Sequence, residues 1–576
     1  MHTKTSLFRG AAFGAMIAIG AGVSAQAATV HHKKVVHKKA AHVAAAKTPS
    51  ELSALRAEVR ELTARLDAQA ATQAETQAQV QQANAAAQSA QAQVQTAQAQ
   101  DADATAAIIQ SIPTAVAAEV DKVKPKTDGL YVKGVKITPG GFIEAAGIYR
   151  SRNLGNDIST GLNTVPFAQT RQGHLEELRG SARQSRVSAL VEGKPTGDIT
   201  LSMYGEFDFQ AAAQTANSNE SNSYNPRIRH LYATIDWADT GWHLLAGQNW
   251  SLATMNAKGI TPRNEVTPLT IDGQYTAGFV WARQPQVRVT KDFLDHTIWI
   301  AASAENPQTT FTGSVPAGVI NTINNGSGFF GGTTGTLATT TANGNVTAVS
   351  GVATATQSVN HVPDFILKAA VEEDIYGHHV HAEVFGMARS FYEQLANLKT
   401  NNITTGAFGG GFIAQVLPGW FDVQASALNG KGIGRYGTSQ LPDVTFNTNG
   451  HIEPIEETIA LLGGTVHATK DLDIYAYGGE EHDSRAAYGT IGYGNPSFVN
   501  TGCGTEASTL TCTGNTKMLE ELSGGLWQKL YSGPWGQARI GLQYSYVDRV
   551  AFSGVGGAPT AHDNMIFTSF RYYPFQ

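Results

Sequence analysis

Charged side chains recur at every second position in several stretches of the chain, and they are the residues best suited to binding a ligand. A guanidinium is always charged and presents a fork of N–H donors that matches carboxylates and phosphates. The basic members face acidic ones in neighbouring segments, so the pattern predicts either an anion-binding surface or a ladder of ion pairs. The sequence leaves both open. The residues are Arg186, Arg227, Arg229, Arg288, Glu206 and Asp208.

The densest group of potential metal ligands or catalytic residues is His378, His379, His381 and Glu383. In a strand, successive side chains point to opposite faces, so only His379 and His381 of the three histidines share a face. The sequence contains no nucleophile elbow, no P-loop and no His-Glu-x-x-His stretch. We therefore expect no enzymatic activity, no metal and no cofactor, and interpret these histidines as interior side chains of a strand.

The elements that must position these residues follow Gly129, where apolar and polar residues alternate in short segments rich in Val, Ile, Phe, Tyr and Trp. This period of two is typical of strands with two different faces. The sequence predicts sixteen strands, at 139–150, 181–194, 197–210, 226–237, 242–251, 276–291, 295–303, 363–374, 377–389, 405–416, 419–428, 457–468, 471–480, 518–531, 535–549 and 562–575. Splitting 276–291 at Pro285 would give an odd number.

The predicted connections alternate between seven short turns and eight long loops. Barrels of the outer-membrane type have short turns at one end and long loops at the other. They are closed because every backbone polar group must be paired within hydrocarbon. The sequence therefore predicts an all-β transmembrane barrel of about 16 antiparallel strands over residues 139–576. A barrel of this size encloses a water-filled interior.

The alternation also predicts which face is inside. In 197–210, Leu201, Met203 and Phe207 oppose Glu206 and Asp208. An arginine on the lipid face at mid-bilayer costs roughly 2–4 kcal/mol. The arginines at 186, 227, 229 and 288 should therefore point inward. In 226–237, Ile228 and Tyr232 are predicted to oppose the arginines and so to face outward.

Two further arginines are candidates for the interior. Arg150 lies at the end of the first predicted strand, and Arg263 lies in the predicted loop 252–275. We expect this loop to fold into the barrel and to set its narrowest point. Aromatic residues at strand ends should form belts at the lipid–water boundaries. They are Trp237, Trp242, Trp281, Trp299, Trp420, Trp527, Tyr531 and Trp535.

The first part of the chain has the features of an exported protein. Residues 1–27 combine basic residues, an apolar stretch and the small-x-small sequence Ala25-Gln26-Ala27, which predicts a cleaved signal peptide. A basic His/Lys/Ala arm follows over 28–48, and contact with an anionic polymer such as the cell wall is one interpretation of it. Residues 49–112 carry a heptad pattern typical of an α-helical coiled coil. The Ala/Gln-rich part is also compatible with a disordered linker, and 113–138 is predicted as a linker.

Composition excludes some classes of protein and indicates a disulfide. The net charge of -6 argues against a nucleic-acid partner. Past the first 27 residues the chain has no apolar run long enough for a transmembrane helix. Cys503 and Cys512 are the only cysteines, and an exported protein meets an oxidising compartment. We predict that these two residues form a loop-stapling disulfide.

Four blocks resemble the DcaP-like porins of Gram-negative bacteria. They are SARQSRVSALVEGKPTGDITLSMYGEFDF (181–209), NPRIRHLYATIDW (225–237), LLAGQNWS (244–251) and VWARQPQVRVT (280–290). The resemblance covers about residues 140–290 in sequence and the rest in architecture. It implies a sixteen-stranded trimer, preceded by a coiled-coil segment, that passes small and often anionic solutes such as dicarboxylates. It also implies channel-lining roles for Arg227, Arg229, Gln248 and Arg288.

These observations predict an outer-membrane porin with its N-terminal extension in the periplasm. Its expected partners are outer-membrane lipid and lipopolysaccharide, further copies of itself in a homotrimer, and small solutes in transit. The alternative is an outer-membrane structural protein or adhesin that forms no channel and uses the extension to tether the membrane to the cell wall.

Overall fold

The computed structural model describes residues 57, 60–61, 129–211, 225–313, 338–340, 346–348, 360–394 and 399–576. The predicted signal peptide and basic arm lie outside the described residues, as do residues 113–128 of the predicted linker and almost all of the coiled coil. The rest of the predicted linker, 129–138, is described and is largely strand, which corrects that prediction: it contains Leu130–Val132 and the start of the strand Val135–Arg150. Of the coiled-coil segment, Ala57, Arg60 and Glu61 are described, and they are helical. The described part of the chain contains no helix with the length and apolar character needed to cross a membrane.

Sixteen antiparallel strands form a closed sheet, which confirms the predicted barrel. The strands are β1 Val135–Arg150, β2 Glu177–Ser181 continued by Arg186–Gly193, β3 Ile199–Ala211, β4 Asn225–Trp237, β5 Trp242–Trp250, β6 Arg283–Phe293, β7 Ile298–Glu305, β8 Asp364–Ile375, β9 His378–Gln394, β10 Thr400–Leu417, β11 Phe421–Lys431, β12 Glu456–Thr469, β13 Leu472–Asp483, β14 Thr516–Gly533, β15 Gly536–Ala551 and β16 Thr560–Tyr573. Pairing of β1 with β16, from Ile143 opposite Tyr572 to Arg150 opposite Met565, closes the cylinder. A short strand, Leu130–Val132, pairs with the start of β1.

The connections alternate between short turns and long loops as predicted, with one exception. The loop predicted over 390–404 is reduced to residues 395–399, because β9 extends to Gln394 and β10 begins at Thr400. The β8–β9 turn is made by Tyr376 and Gly377, both with positive φ (53° and 82°), as a two-residue hairpin requires. The long loops carry short elements of their own, namely the 3-10 turns Leu162–Thr164, Arg171–His174 and Gly434–Tyr436 and the hairpins Ala338–Thr340/Val346–Ala348, Val444–Phe446/Ile452–Pro454 and Ala486–Tyr488/Ile491–Tyr493.

Two predicted boundaries are corrected by the structure. The barrel begins at Val135, ahead of the predicted boundary at 139. The strand predicted over 276–291 begins only at Arg283, and residues 276–282 belong to the preceding loop. The cause lies at Gly278, which adopts φ 83° and donates its N–H to Glu481 of a distant strand. This stretch is therefore drawn across the barrel rather than along β5.

The outer surface of the cylinder is apolar and the inner surface is polar. On β3, Leu201 and Met203 are exposed by 44% and 50%, whereas Ser202 and Asp208 are buried inside. The exposed residues of the predicted aromatic belts include Trp242, Trp420, Tyr531 and Trp535. Trp299 and Trp527 were wrongly assigned to these belts, because both are buried inside the barrel against the loop between β5 and β6. Trp281 is part of that loop rather than of a strand end.

Candidate functional site

The loop between β5 and β6, residues 251–282, is called here the inner loop because it crosses the interior of the barrel. Ile271 at its centre is fully buried, and the indole N–H of Trp527 on the far wall donates to the Leu269 carbonyl at 2.8 Å. The Leu269 N–H in turn donates to the Tyr477 hydroxyl at 3.2 Å. The loop predicted over 252–275 thus folds inward, with somewhat wider bounds than predicted.

A cavity of about 390 Å³ lies between the inner loop and the end of the barrel that carries the short turns. Residues 267–270 and 273–274 of the inner loop form part of its wall, and the remainder comes from β1, β2, β3, β15, β16 and the last two residues of the chain. Its charged side chains are Arg186, Glu206, Arg539 and Arg571. Three guanidinium groups and one side-chain carboxylate therefore face the same aqueous space.

Arg227 and Arg229 on β4 are paired with Glu206 and Asp208 on β3. Arg227 lies 2.7 Å from Asp208, and Arg229 lies 2.6 Å from Glu206 and 3.1 Å from Asp208. The Asp208 side chain is only 1% exposed and that of Arg229 only 3%. Of the two possibilities that the sequence left open, the ion-pair ladder describes Arg227 and Arg229.

Arg186 on β2 is only loosely paired. Its nearest carboxylate is Glu206, at 3.8 Å, and that carboxylate already accepts a hydrogen bond from Arg229. Among the described residues its Nε has no hydrogen-bond partner. Arg186 lines the cavity with its side chain 19% exposed, so its positive charge is available to a solute.

Arg539 on β15 and Arg571 on β16 form, together with Arg186, what is called here the basic wall of the cavity. Arg571 binds Glu144 at 2.8 Å and the Gln184 side-chain oxygen at 3.0 Å. The Arg539 guanidinium carbon lies 4.2 Å from the centre of the Trp527 ring, and its Nε has no hydrogen-bond partner in the described part of the chain. Stacking on an aromatic face holds a guanidinium in place without neutralising it.

A bulge at Arg229 changes the orientation of the rest of β4. Glu206 pairs with His230 and Phe207 pairs with Ile228, so Arg229 is the extra residue. Beyond the bulge, Tyr232 is 3% exposed and faces inward, which corrects its predicted outward orientation. A one-residue bulge is not visible in a pattern of alternating residue types, because it needs a neighbour strand to define it.

Three of the predicted channel-lining residues do not line the cavity. The Gln248 side chain lies on the outer face, where it caps the carbonyls of Ile228 and Arg229 at 3.0 and 3.3 Å. Arg288 faces inward but is 2% exposed and donates to the Trp250 carbonyl at 2.7 Å. Arg150 is fully buried and paired with Glu177 at 2.8 Å.

Arg150 organises the loop that follows β1. It donates to the carbonyls of Asn156 and Asp157 at 3.0 and 2.9 Å and to the Thr160 hydroxyl at 2.7 Å. This segment then contacts the inner loop, because the backbone N–H groups of Ser159 and Thr160 donate to the Asp272 carboxylate at 2.7 and 3.1 Å. Arg150 is therefore a structural anchor rather than a wall residue.

Arg263 and two carboxyl groups of the inner loop also lie in the interior. Arg263 is exposed there, with its guanidinium 5.8 Å from the centre of the Tyr204 ring. Burial raises the pKa of Asp272 to about 6, even though Arg150 and the two N–H donors act against the shift. Burial likewise raises the pKa of Glu265, which accepts a hydrogen bond from Asn249 at 3.0 Å.

The histidine group has a structural role in the interior. His381 is fully buried and lies 3.2 Å from Glu383, which is also bound to Lys368 at 2.7 Å. His378 points to the other side of the sheet, where it contacts the Gln415 carbonyl. Within the described residues, no group of three or more His, Cys, Asp or Glu has an arrangement that could hold a metal ion.

The structure joins Cys503 and Cys512 by a disulfide, as predicted. The bond lies in the long loop between β13 and β14, where Cys503 is 1% exposed. Backbone hydrogen bonds brace the same segment, from Gly502 to the Thr511 carbonyl at 2.9 Å and from Gln169 to the Cys503 carbonyl at 3.0 Å. The disulfide thus closes a segment of one long loop, and the Gln169 hydrogen bond joins that segment to the loop between β1 and β2.

Arg539 and Arg571 were missed from sequence although the signal was present. In β16, Ile566 and Phe570 are exposed outside, and Arg571 takes the opposite face by simple alternation. The same rule places Arg539 opposite the outward-facing Ile540. The prediction concentrated on early strands, whereas closure of the barrel brings the last two strands beside the first.

The fold is that of an outer-membrane type β-barrel. It is similar to the outer-membrane channel DcaP of Acinetobacter baumannii, with a TM-score of 0.53 at 18% identity over 77% of this chain and 99% of that chain. More distant likenesses are OmpT of Vibrio cholerae (TM-score 0.39, 10% identity, 78% of this chain and 100% of that chain) and an anion-selective porin from Comamonas acidovorans (TM-score 0.40, 8% identity, 76% and 99%). No protein-family model and no curated protein matches the chain. The first likeness confirms the predicted DcaP-like barrel as a fold.

Proposed function

We propose that this protein is an outer-membrane porin that forms a water-filled diffusion channel for small hydrophilic solutes and favours anions such as dicarboxylates. The observation that carries the proposal is the cavity between the inner loop and the barrel end with the short turns. Three basic side chains face it, Arg186, Arg539 and Arg571, against a single acidic side chain, Glu206. A space lined mainly by one sign of charge raises the local concentration of ions of the opposite sign.

The immediate surroundings preserve this excess of positive charge. Glu144 is bound to Arg571, and Glu206 and Asp208 are bound to Arg229. The negative groups next to the cavity are therefore already engaged, whereas Arg186 lies 3.8 Å from its nearest carboxylate and Arg539 is stacked on the Trp527 ring. An anion entering the cavity would be attracted by both guanidinium groups.

The cellular setting follows from the fold and the apolar outer surface. A closed barrel with exposed leucine, methionine and phenylalanine outside and charges inside is suited to the outer membrane, in contact with lipid and lipopolysaccharide. The sequence resemblance supports a homotrimer. The even strand number, which puts both ends of the barrel on the side of the short turns, supports an N-terminal extension in the periplasm. Contact of the basic arm with the cell wall is a further part of the proposal.

Swelling of liposomes that contain the purified protein tests the function directly. We expect dicarboxylates to enter faster than neutral sugars of similar size, and a matched diamine to enter more slowly than both. Detergent-extracted protein should migrate as a heat-modifiable trimer. Liposomes that contain folded barrels and admit none of these solutes would favour the structural or adhesin alternative.

A further inference from the structure

Five inward-facing glutamates of the barrel wall share one kind of contact with the inner loop. In each case a carboxylate oxygen accepts a hydrogen bond from a backbone N–H of the loop. The pairs are Leu252 with Glu305 at 2.8 Å, Asn256 with Glu383 at 3.1 Å, Gly259 with Glu372 at 2.7 Å, Ala277 with Glu521 at 2.9 Å and Gly278 with Glu481 at 2.9 Å.

These contacts hold the inner loop at both of its ends. The wall strands β7, β8 and β9 bind its first residues, 252–259, and β13 and β14 bind its last residues, 277–278. The loop is therefore suspended across the barrel between two groups of strands. A backbone N–H that donates to an ionised carboxylate makes a charge-assisted hydrogen bond, which is stronger than a neutral one.

Two of the donors belong to glycines, and a larger residue would not fit there. Gly259 has φ 56° and Gly278 has φ 83°. A Cβ on Gly259 would lie 2.9 Å from the Trp299 ring, and a Cβ on Gly278 would clash with the Ala460 carbonyl oxygen. The close approach that brings each N–H to its glutamate therefore depends on a residue without a side chain.

The five carboxylates are shielded from water. Glu481 is fully buried, Glu305 is 1% exposed, and Glu372, the most accessible of the five, is 8% exposed. Each accepts a hydrogen bond from the inner-loop backbone, and some have further partners. Glu383 is bound to Lys368, and Glu481 also accepts from the Ser439 N–H, in the loop between β11 and β12, at 3.0 Å. None of the five lines the cavity that Arg186, Arg539 and Arg571 face.

We propose that these five glutamates are positioning residues: they hold the inner loop in place and so set the width of the passage, and they contribute little to its charge preference. The inference rests on the proposed channel function. It explains how a barrel interior rich in acidic residues can still present a basic surface to solutes. It also separates two properties of the channel, since width depends on one set of side chains and ion preference on another.

Paired substitutions at Glu521 and Glu481 separate positioning from charge. Glutamine removes the charge but keeps an oxygen that can accept the loop N–H, whereas alanine removes both. We expect E521A and E481A to change the single-channel conductance at least twofold and to increase current noise. E521Q and E481Q should stay near the wild-type conductance, and all four variants should keep the wild-type reversal potential.

The matched control is E393A. Glu393 is likewise fully buried on the wall, but it accepts its hydrogen bond from the Ile452 N–H, in a different loop, at 2.8 Å. This variant should lose stability to a similar degree without a change in conductance. The proposal is overturned if the glutamine variants shift the reversal potential toward anions, or if the alanine variants conduct like wild type.

Hydrogen exchange gives a readout that does not depend on conduction. In E521A, exchange should rise at least tenfold in a peptide that contains residues 277–278 and remain unchanged in one that contains 252–259. If wild-type protein fails to conduct while this local effect is present, the channel proposal fails and the positioning of the loop stands. If exchange is unchanged in both peptides, the positioning role is wrong.

Discussion

The guanidinium of Arg186 lies 3.8 Å from Glu206, the same carboxylate that Arg229 binds at 2.6 Å. One carboxylate thus serves two arginines, and the more exposed of the two, Arg186, is left with capacity to bind another anion. Salt bridges next to a cavity do not by themselves remove its electrostatic character. What matters is which partner remains accessible after the pairs have formed.

Arg229 is predicted to be essential for stability. Replacing it with methionine would leave Asp208, which is 1% exposed, with Arg227 as its one arginine partner. Glu206 would keep the Tyr204 hydroxyl at 3.1 Å, but its nearest arginine would be Arg186 at 3.8 Å. Breaking a buried ion pair from one side costs about 3–5 kcal/mol.

We expect R229M to lower the temperature at which the folded barrel loses its fast electrophoretic mobility by more than R179M does. Arg179 is 40% exposed in its own pair, so its loss should cost about 1 kcal/mol or less. Equal effects of the two substitutions would contradict the prediction.

Asp272 should make stability depend on pH. Its pKa is raised by burial from 3.8 to about 6, and the charged groups facing it are Arg150 on β1 and Glu521 on β14. Between about pH 4 and pH 6 the folded protein holds a proton that the unfolded chain has released, so this contribution to stability falls as the pH rises. The shift corresponds to about 3 kcal/mol of unfolding free energy, which is present below about pH 4 and lost above about pH 6.

The measurement is the difference in unfolding free energy between wild type and D272N across this range. The wild type should lose stability relative to D272N from pH 4 to pH 6, and the difference should be constant above about pH 7. Parallel profiles for the two proteins would show that Asp272 does not titrate in this window.

Glu457 and Asp483 face each other across the β12–β13 pair, and both are buried. In the described part of the chain, none of their carboxylate oxygens has a hydrogen-bond partner. Two adjacent carboxylates in a dry site oppose each other's ionisation. Removing one charge should therefore stabilise the barrel, by about 1–3 kcal/mol for E457Q. Thermal unfolding in detergent measures the change, and a loss of stability in E457Q would show that both charges are compensated in the folded protein.

The disulfide between Cys503 and Cys512 should act locally. It closes a short segment of a long loop, and constraints of this size are worth about 2–3 kcal/mol to the segment that they close. In C503S/C512S we expect faster proteolysis within 484–515 and an unchanged unfolding temperature of the barrel, because the loop can open while the strands stay paired. Unfolding of the whole barrel at lower temperature would contradict this.

Alternation and the lengths of the connections were sufficient to predict the strand number, all but one of the turns and loops in their order, and the orientation of Arg186 and Asp208. The departures occurred where a contact between distant segments overrides the local pattern. Residues 276–282 are predicted as a strand from their pattern, but the hydrogen bond from the Gly278 N–H to Glu481 holds them across the barrel. Tyr232 faces inward because of the bulge at Arg229. Gln248 was assigned to the channel by resemblance, although its parity places it outside.

The charge preference of the passage is the most direct test of the account. In planar bilayers under a potassium chloride gradient, the wild-type channel should show a reversal potential favouring chloride. R186Q/R539Q should shift it toward potassium, whereas R227Q, whose charge is paired with Asp208, should shift it less. A wild-type channel that prefers potassium, or a double variant with an unchanged reversal potential, would contradict the assignment of the basic wall.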